Sequence, residues 1–547
     1  MDAGAAGPGR LSGREVALLA LELVVVLGVA VLACQLLART LRIAPPVLTL
    51  ACGVLLGLIP DLRAAQLPPE AVLLLFLPAL LYWESLTTSL REIRSNLRVV
   101  VMLSTMLVIG TAAAVAAAAH ALDLPWGPAW VLGAAVAPTD ATAVGIVARL
   151  LPRRTVTVLR AESLINDGTA LVIYGLAIGS TVGSEEISPL HVSGLFVLSF
   201  AGGAAAGLVT AWVGAHIRRF LEDPLLENLA NIVIPFAAFL LAEQVHASGV
   251  LAVVTAGLAI SQVGPRIFRA DTRQQAQAFW TLATFVLNGA LFVLVGIACT
   301  GAFRDLTTIA RTRALVAVAV ISAVVIGSRL VWMFTTPYII RVLDRRPQQR
   351  LRRVGARARM VSAFAGFRGA VSLAAALAVP RTLDSGAPFP DRDVIIFVVS
   401  GVIVVTIVVQ ALALPMVVRW ARIPPDPQPD RELHLAQITA TEEALAALPS
   451  IASRLAIEEE TVDRTRIEYA EHLAELRAEA DHPDGQPTTH HDGPNAYAEL
   501  RLGLLAVKRA TVVRLRDERQ IDDSVLRQVQ WRLDIEERRL SRREVVE

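Results

Sequence analysis

Ala161-Glu162-Ser163-Leu164-Ile165-Asn166-Asp167-Gly168-Thr169 decides how this chain is read. It runs on as Ala170-Leu171-Val172-Ile173-Tyr174-Gly175-Leu176-Ala177-Ile178, apolar enough to cross a bilayer. An acid at membrane depth is costly to keep ionised, so it faces a cavity, a cation or a partner. Glu162 and Asp167 lie about 140° apart around an ideal helix, so they need not share a partner. Asn166 adds a neutral hydrogen-bonding group between them. One segment earlier comes a second anomaly, Ala137-Pro138-Thr139-Asp140-Ala141-Thr142-Ala143.

Working outward, the chain alternates apolar runs with short arginine-bearing loops. Of 547 residues, 54% are apolar and 18% charged, too few charges for a soluble protein of this length. A spanning helix needs about 20 apolar residues, fewer if broken, and about thirteen candidates meet that measure. They are approximately 16–38, 44–60, 69–88, 97–120, 128–150, 162–181, 191–216, 228–246, 249–263, 280–302, 313–338, 360–380 and 393–418. The first follows Arg10 and Arg14 and resembles a signal core, but its length and the similar runs after it favour a retained helix. Cys34, Cys52 and Cys299 lie inside apolar runs, which suggests core residues and neither a disulfide framework nor a zinc site.

The net charge of +2 argues against nucleic acid as a partner. The basic residues are almost all arginine; Lys508 is the sole lysine. Loops after odd-numbered spans carry arginines, most densely between Arg341 and Arg359, while those near 122–127, 183–189 and 244–248 carry none. The positive-inside rule then places residues 1–15 outside a cell membrane and the C-terminus in the cytoplasm. Arg304, Arg311 and Arg313 fall on the unexpected side.

Residues 16–420 thus form a multi-pass membrane domain and 421–547 a cytoplasmic tail. Pro424-Pro425-Asp426-Pro427-Gln428-Pro429 is a stiff linker. Charged helical stretches are expected over 431–480 and 495–543. In the second, Leu526, Leu533 and Leu540 make a packing stripe. His490 and His491 between them read as a solvated pair.

Pro138 removes a backbone donor and breaks its helix two residues before Asp140. Broken helices at membrane depth occur where they line a cavity. Carboxylate, hydroxyl and freed carbonyl oxygens suit a hard cation, so Asp140 and Asp167 are expected to form one cation- and proton-binding site, with Thr139 and Thr142 adding oxygens. Arg329 and Arg368 lie deep within predicted spans, and either could be the ion-pair partner that Glu162 needs. Gly366-Phe367-Arg368-Gly369 marks a second interruption. Two interrupted helices in corresponding places point to an inverted-repeat transporter, with spans 4–6 and 11–13 as matching units. Glu84 is either part of an ion pathway or an acid at a helix end.

Together, Pro138-Thr139-Asp140, Glu162 through Asp167, Arg329 and Phe367-Arg368-Gly369-Ala370-Val371-Ser372 resemble the sodium/proton exchanger family, in its electroneutral cation:proton antiporter branch. Phe285-Val286-Leu287-Asn288-Gly289 through Gly296 is similar to the tenth helix of bacterial members, and 521–540 to the tail of one bacterial subgroup. The resemblance implies a thirteen-helix fold, a homodimer and an elevator-like movement of a core bundle. It implies that Asp140 and Asp167 bind the ion with Thr139 and Ser163 beside them, and that Glu162 pairs with Arg329. Asn166, which stands where two-proton relatives have an acid, is expected with them among the ion-binding residues. Trp83 stands where many members have an acid before Glu84. The transported cation is expected to be Na+, with K+ or Li+ as alternatives, driven by ion gradients without a cofactor. A cation channel or uniporter with a regulatory tail is the rival class; no carbonyl-filter loop is evident. An intramembrane aspartate protease would need a Gly-rich aspartate motif that is absent, so no enzyme is expected. Membrane lipid and an unidentified ligand of the tail complete the expected partners.

Overall fold

The computed structural model describes residues 13–41, 43–59, 69–140, 151–183, 189–268, 270–306, 308–343, 355–424, 428–455 and 459–481. These residues are helical, with two isolated antiparallel bridges, Asp140 with Phe367 and Thr382 with Pro388. Helices satisfy their backbone groups internally, which a bilayer demands.

In chain order the helices are α1 (Gly13–Leu41), α2 (Pro45–Leu56), α3 (Pro69–Thr87), α4 (Leu90–Ser95) and α5 (Leu97–Val101). A π-helical turn, Met102–Leu107, joins α5 to α6 (Val108–Ala121). Next come α7 (Trp126–Val136), α8 (Arg153–Val182) and α9 (Pro189–Val197), and a second π turn, Leu198–Gly202, leads into α10 (Gly203–Arg218). Then follow α11 (Pro224–Gln244), α12 (Gly249–Ile267), α13 (Ala270–Asp305), α14 (Thr308–Leu343), α15 (Ala356–Phe364), α16 (Ala370–Leu377) and α17 (Arg392–Ala421). Each π turn lies inside a stretch expected to be one continuous span.

Seven helical stretches among the described residues are long and apolar enough to cross a membrane: Val24–Leu41, Leu97–Ala121, Ser193–Arg218, Pro224–Gln244, Thr272–Arg304, Arg311–Tyr338 and Arg392–Ala421. Shorter apolar helices cover Pro45–Leu56, Leu74–Thr87, Trp126–Val136 and Gly249–Gly264. Helix α8 is long enough, yet it is not among the seven, because Arg160, Glu162, Asn166 and Asp167 interrupt its apolar character. It also begins at Arg153, nine residues before the expected start, so Glu162 lies in the helix interior. Gly183, at φ +109°, ends it in the left-handed conformation that favours glycine. The remainder of the fifth expected span, 141–150, lies outside the described residues, as does Thr142.

Two buried clusters divide the membrane unit. One joins α6, α7, α13, α14 and α17 through Val115, Leu132, Val295, Ile321, Val399 and Ile403. The other joins α3, α10, α11 and α12 through Tyr82, Ala206, Ala238 and Val253, with Trp280 of α13 completing it. Helix α13 touches both and packs closely on α2. There a Cβ at Gly53 would overlap the Val293 carbonyl, and one at Gly296 would overlap the Leu50 carbonyl. Outward faces of α1 and α10 expose Val24, Leu32, Leu208 and Trp212, an apolar surface suited to lipid.

Two of the three arginines on the unexpected side, Arg311 and Arg313, bear on helix ends. Arg313 binds Asp123 at 2.9 Å and the Leu122 carbonyl at 3.2 Å. Arg311 donates to the Phe303 and Arg304 carbonyls, both at 3.1 Å, near the C-terminus of α13. Cations favour that end of a helix.

The chain divides at Asp426 and Pro427 into two compact units. In the second, the expected 431–480 helix is two helices, α18 (Gln428–Leu455) and α19 (Glu459–Asp481), joined on their surfaces by Arg477 and Glu442 at 2.6 Å. The 495–543 helix, its leucine stripe, His490 and His491 lie outside the described residues.

Candidate ion-binding site

Helix α7 stops at Val136, two residues before Pro138, and the chain bends at Ala137 and Pro138 before reaching Asp140. The twelfth expected span breaks in the same manner. Helix α15 ends at Phe364, residues 365–369 are unwound, and α16 begins at Ala370. The two breaks cross. The Asp140 N–H donates to the Phe367 carbonyl at 2.8 Å, and this bridge fixes their register.

The glycines of the second break make room for side chains. A Cβ on Gly369 would overlap the Asp140 carboxylate. A Cβ on Gly366 would overlap the Arg329 side chain, reaching its Nε at 2.6 Å. Gly369 is also the N-cap residue of α16, so the Asp140 carboxylate lies beside the positive end of a helix.

Arg368 corrects one expectation. It was a candidate partner for Glu162, but its guanidinium turns to backbone carbonyls. Nε donates to Val136 at 3.0 Å, Nη2 to Ala137 at 3.4 Å and Nη1 to Gly366 at 2.5 Å. Helix α7 ends with unpaired carbonyls that water cannot reach, and Arg368 satisfies them. One broken helix thereby caps the other.

Glu162 pairs with Arg329 alone among these two. The contact is a fork, with Nη1 on Oε1 and Nη2 on Oε2, the latter at 3.0 Å; both side chains are 1% exposed. Arg329 Nε continues to the Ser362 carbonyl of α15 at 3.2 Å. On the other side, the Thr139 hydroxyl donates to Glu162 Oε1 at 3.2 Å. Asn166 Nδ2 donates to that same hydroxyl at 2.8 Å and to the Thr139 carbonyl at 3.3 Å. A single chain of contacts thus ties α8, α14, α15 and the first break.

Beside this network a small cavity of about 40 Å³ is lined by Glu84, Pro138, Thr139, Asp140, Ser163 and Asp167. Leu77, Leu80, Leu81, Asn288, Gly369, Val371 and Ser372 complete its wall. It has room for a water-sized occupant. Asp167 is buried at 4% exposure, and Asp140 is half-buried. The acids from α8 and the first break therefore face one space, with hydroxyl and amide oxygens around them. These are hard-cation ligands, and the carboxylates are also proton acceptors. Asn166 is not part of this wall; it stands behind, holding Thr139.

Glu84, ambiguous from sequence, lies on the cavity wall. Asn288 and Ser372 also line it, from within longer sequence motifs. A polar amide inside the apolar run of α13, and a hydroxyl three residues after Gly369, were the signals that could have marked them.

Comparison with known proteins matches this architecture. Residues 26–420 match the family described as sodium/hydrogen exchanger, transmembrane. An uncharacterised Na(+)/H(+) exchanger of Mycobacterium bovis is 46% identical over 530 residues, 96% of this chain and 97% of its own. The sodium, potassium, lithium and rubidium/H(+) antiporter of Bacillus pumilus is 29% identical over 386 residues, 68% of this chain and 57% of its own. The structure of the sodium proton antiporter MjNhaP1 from Methanocaldococcus jannaschii superposes with a TM-score of 0.56 at 18% identity, covering 73% of this chain and 98% of its own, which is a likeness of fold. On the match across its membrane unit, the chain belongs to the sodium/hydrogen exchanger family.

Proposed function

We propose that this chain exchanges a monovalent cation, sodium first, for protons across a membrane, with Asp140 and Asp167 as the carriers. The observation that carries the reading is the cavity at the crossing of two broken helices, where both acids meet. Carboxylates held away from bulk water bind either a proton or a cation and rarely both, because one site cannot hold the two charges together. If the loaded site crosses and the empty, charged one does not, exchange is obligatory.

Ser163 and the Thr139 carbonyl region supply neutral oxygens, while Asn166 and the Glu162–Arg329 pair hold the site in shape. Asn166 cannot titrate and carries no proton of its own, which supports an electroneutral exchange of one cation for one proton, with one proton shared between the two acids. Relatives named as sodium, potassium, lithium and rubidium antiporters support K+ and Li+ as further cargoes. The same reading gives thirteen crossings in two inverted units, the N-terminus outside and a cytoplasmic tail. It also gives a homodimer in which the core bundle moves against a scaffold. The protein then acts as a transporter and not as an enzyme. Proteoliposomes with an imposed pH gradient and a trapped dye test it: sodium addition should dissipate the gradient, and an unchanged gradient on sodium, potassium and lithium would refute it.

A further inference from the structure

A second polar feature lies away from the ion cavity, at the start of α15. Arg359 is 8% exposed, and its Nε and Nη1 are buried without hydrogen-bond partners among the described residues. The rings of Phe334 and Tyr338 on α14 lie 5.5 and 5.6 Å from its guanidinium carbon. Aromatic faces attract a cation, but an N–H···π contact is weaker than a charged hydrogen bond to an oxygen. A buried charged donor left unpaired is destabilising, so this group calls for an anion.

The backbone beside it asks for the same thing. Gly355 is the N-cap of α15 and provides no side-chain cap. The first intrahelical bond is from the Arg359 N–H to the Gly355 carbonyl at 3.1 Å, so the amides of 356–358 precede the ladder. Helical side chains lean toward the N-terminus, which carries the Arg359 guanidinium over that first turn. Arg357, two residues earlier, is exposed and lies 5.8 Å over the Trp420 ring. Exposed Trp420 and Tyr338 beside arginines mark the depth of lipid headgroups.

We propose that Arg359 and the first turn of α15 bind a phosphate-bearing anion, with Arg357 on another face of the helix adding positive charge nearby. Guanidinium forks and helix N-termini both match phosphate oxygens. The occupant would be felt at the ion site, because Ser362, three residues on, holds Arg329.

Two sources present that chemistry: an anionic phospholipid and free phosphate. The test uses purified full-length protein in phosphatidylcholine nanodiscs. Thermal melting and native mass spectrometry are followed while phosphatidylglycerol or, separately, inorganic phosphate is titrated. Phosphatidylglycerol alone raising the melting temperature assigns the lipid; inorganic phosphate doing so assigns the soluble anion. Arg359→Gln should weaken the effective probe by about tenfold, as loss of a charged hydrogen bond does. Arg381→Gln, an exposed arginine beyond the other end of α16, should leave it unchanged. If Arg359→Gln does not fold, Arg359→Lys keeps the charge without the fork and should still bind weakly. Absence of any response in the native protein, or equal binding by the Arg359 variants, would overturn the site. These readouts do not involve transport, so they stand apart from the exchange reading.

Discussion

The Asp140 carboxylate lies against the bare Cα of Gly369, on the space that a side chain there would fill. Gly369→Ala should therefore displace the acid and lower exchange sharply, with overpacking costing about 1–3 kcal/mol of stability. Gly327→Ala, on α14 with nothing within 4 Å of its added Cβ, should leave exchange and melting unchanged. Initial exchange rates of the two variants in proteoliposomes check this pair. Equal rates would separate Gly369 from the site.

The Glu162–Arg329 fork is fully enclosed. Removing one partner strands a buried charge and typically costs about 3–5 kcal/mol. Glu162→Ala and Arg329→Ala should each melt early in detergent, and the double variant should lose less than the sum. Strictly additive losses would mean that the two side chains do not stabilise each other.

Arg368 holds three carbonyls at the crossing. Each carbonyl left unsatisfied costs about 1–3 kcal/mol, so Arg368→Gln should destabilise the core. Arg368→Lys keeps the charge but cannot reproduce the fork and should recover only part of the loss. Full recovery by lysine would show that charge, not carbonyl capping, is what the position needs.

Much of this site was readable from residue types alone. Pro138 forbids a continuous helix, and deep acids demand a cavity, so the first break and its acids could be placed. The partner of Arg368 was not readable. Charge arithmetic suggests a carboxylate, whereas the carbonyls at the end of α7 become a partner only once the two breaks cross. The cavity positions of Asn288 and Ser372 depend likewise on long-range packing. The Asn166 contact to Thr139 also depends on packing, because that hydroxyl sits between it and Glu162. The π turns at 102–107 and 198–202 leave no proline in the sequence to announce them.

Electroneutral exchange rests on Asn166 standing where a second acid would titrate. A net charge moved per cycle would couple to the membrane potential by about 2.3 kcal/mol per 100 mV. With sodium as test ion and potassium–valinomycin setting the potential, rates and reversal points should not move. A shift with potential would refute electroneutrality. The same measurement on Asn166→Asp shows whether an added acid changes the coupling.

The central claim is that Asp167 carries the exchanged ion. The decisive measurement is sodium-driven dissipation of a pH gradient by purified Asp167→Asn in proteoliposomes, with melting temperature as the check on folding. The account expects a folded protein with exchange abolished. Wild-type-like dissipation by a folded Asp167→Asn protein would contradict it.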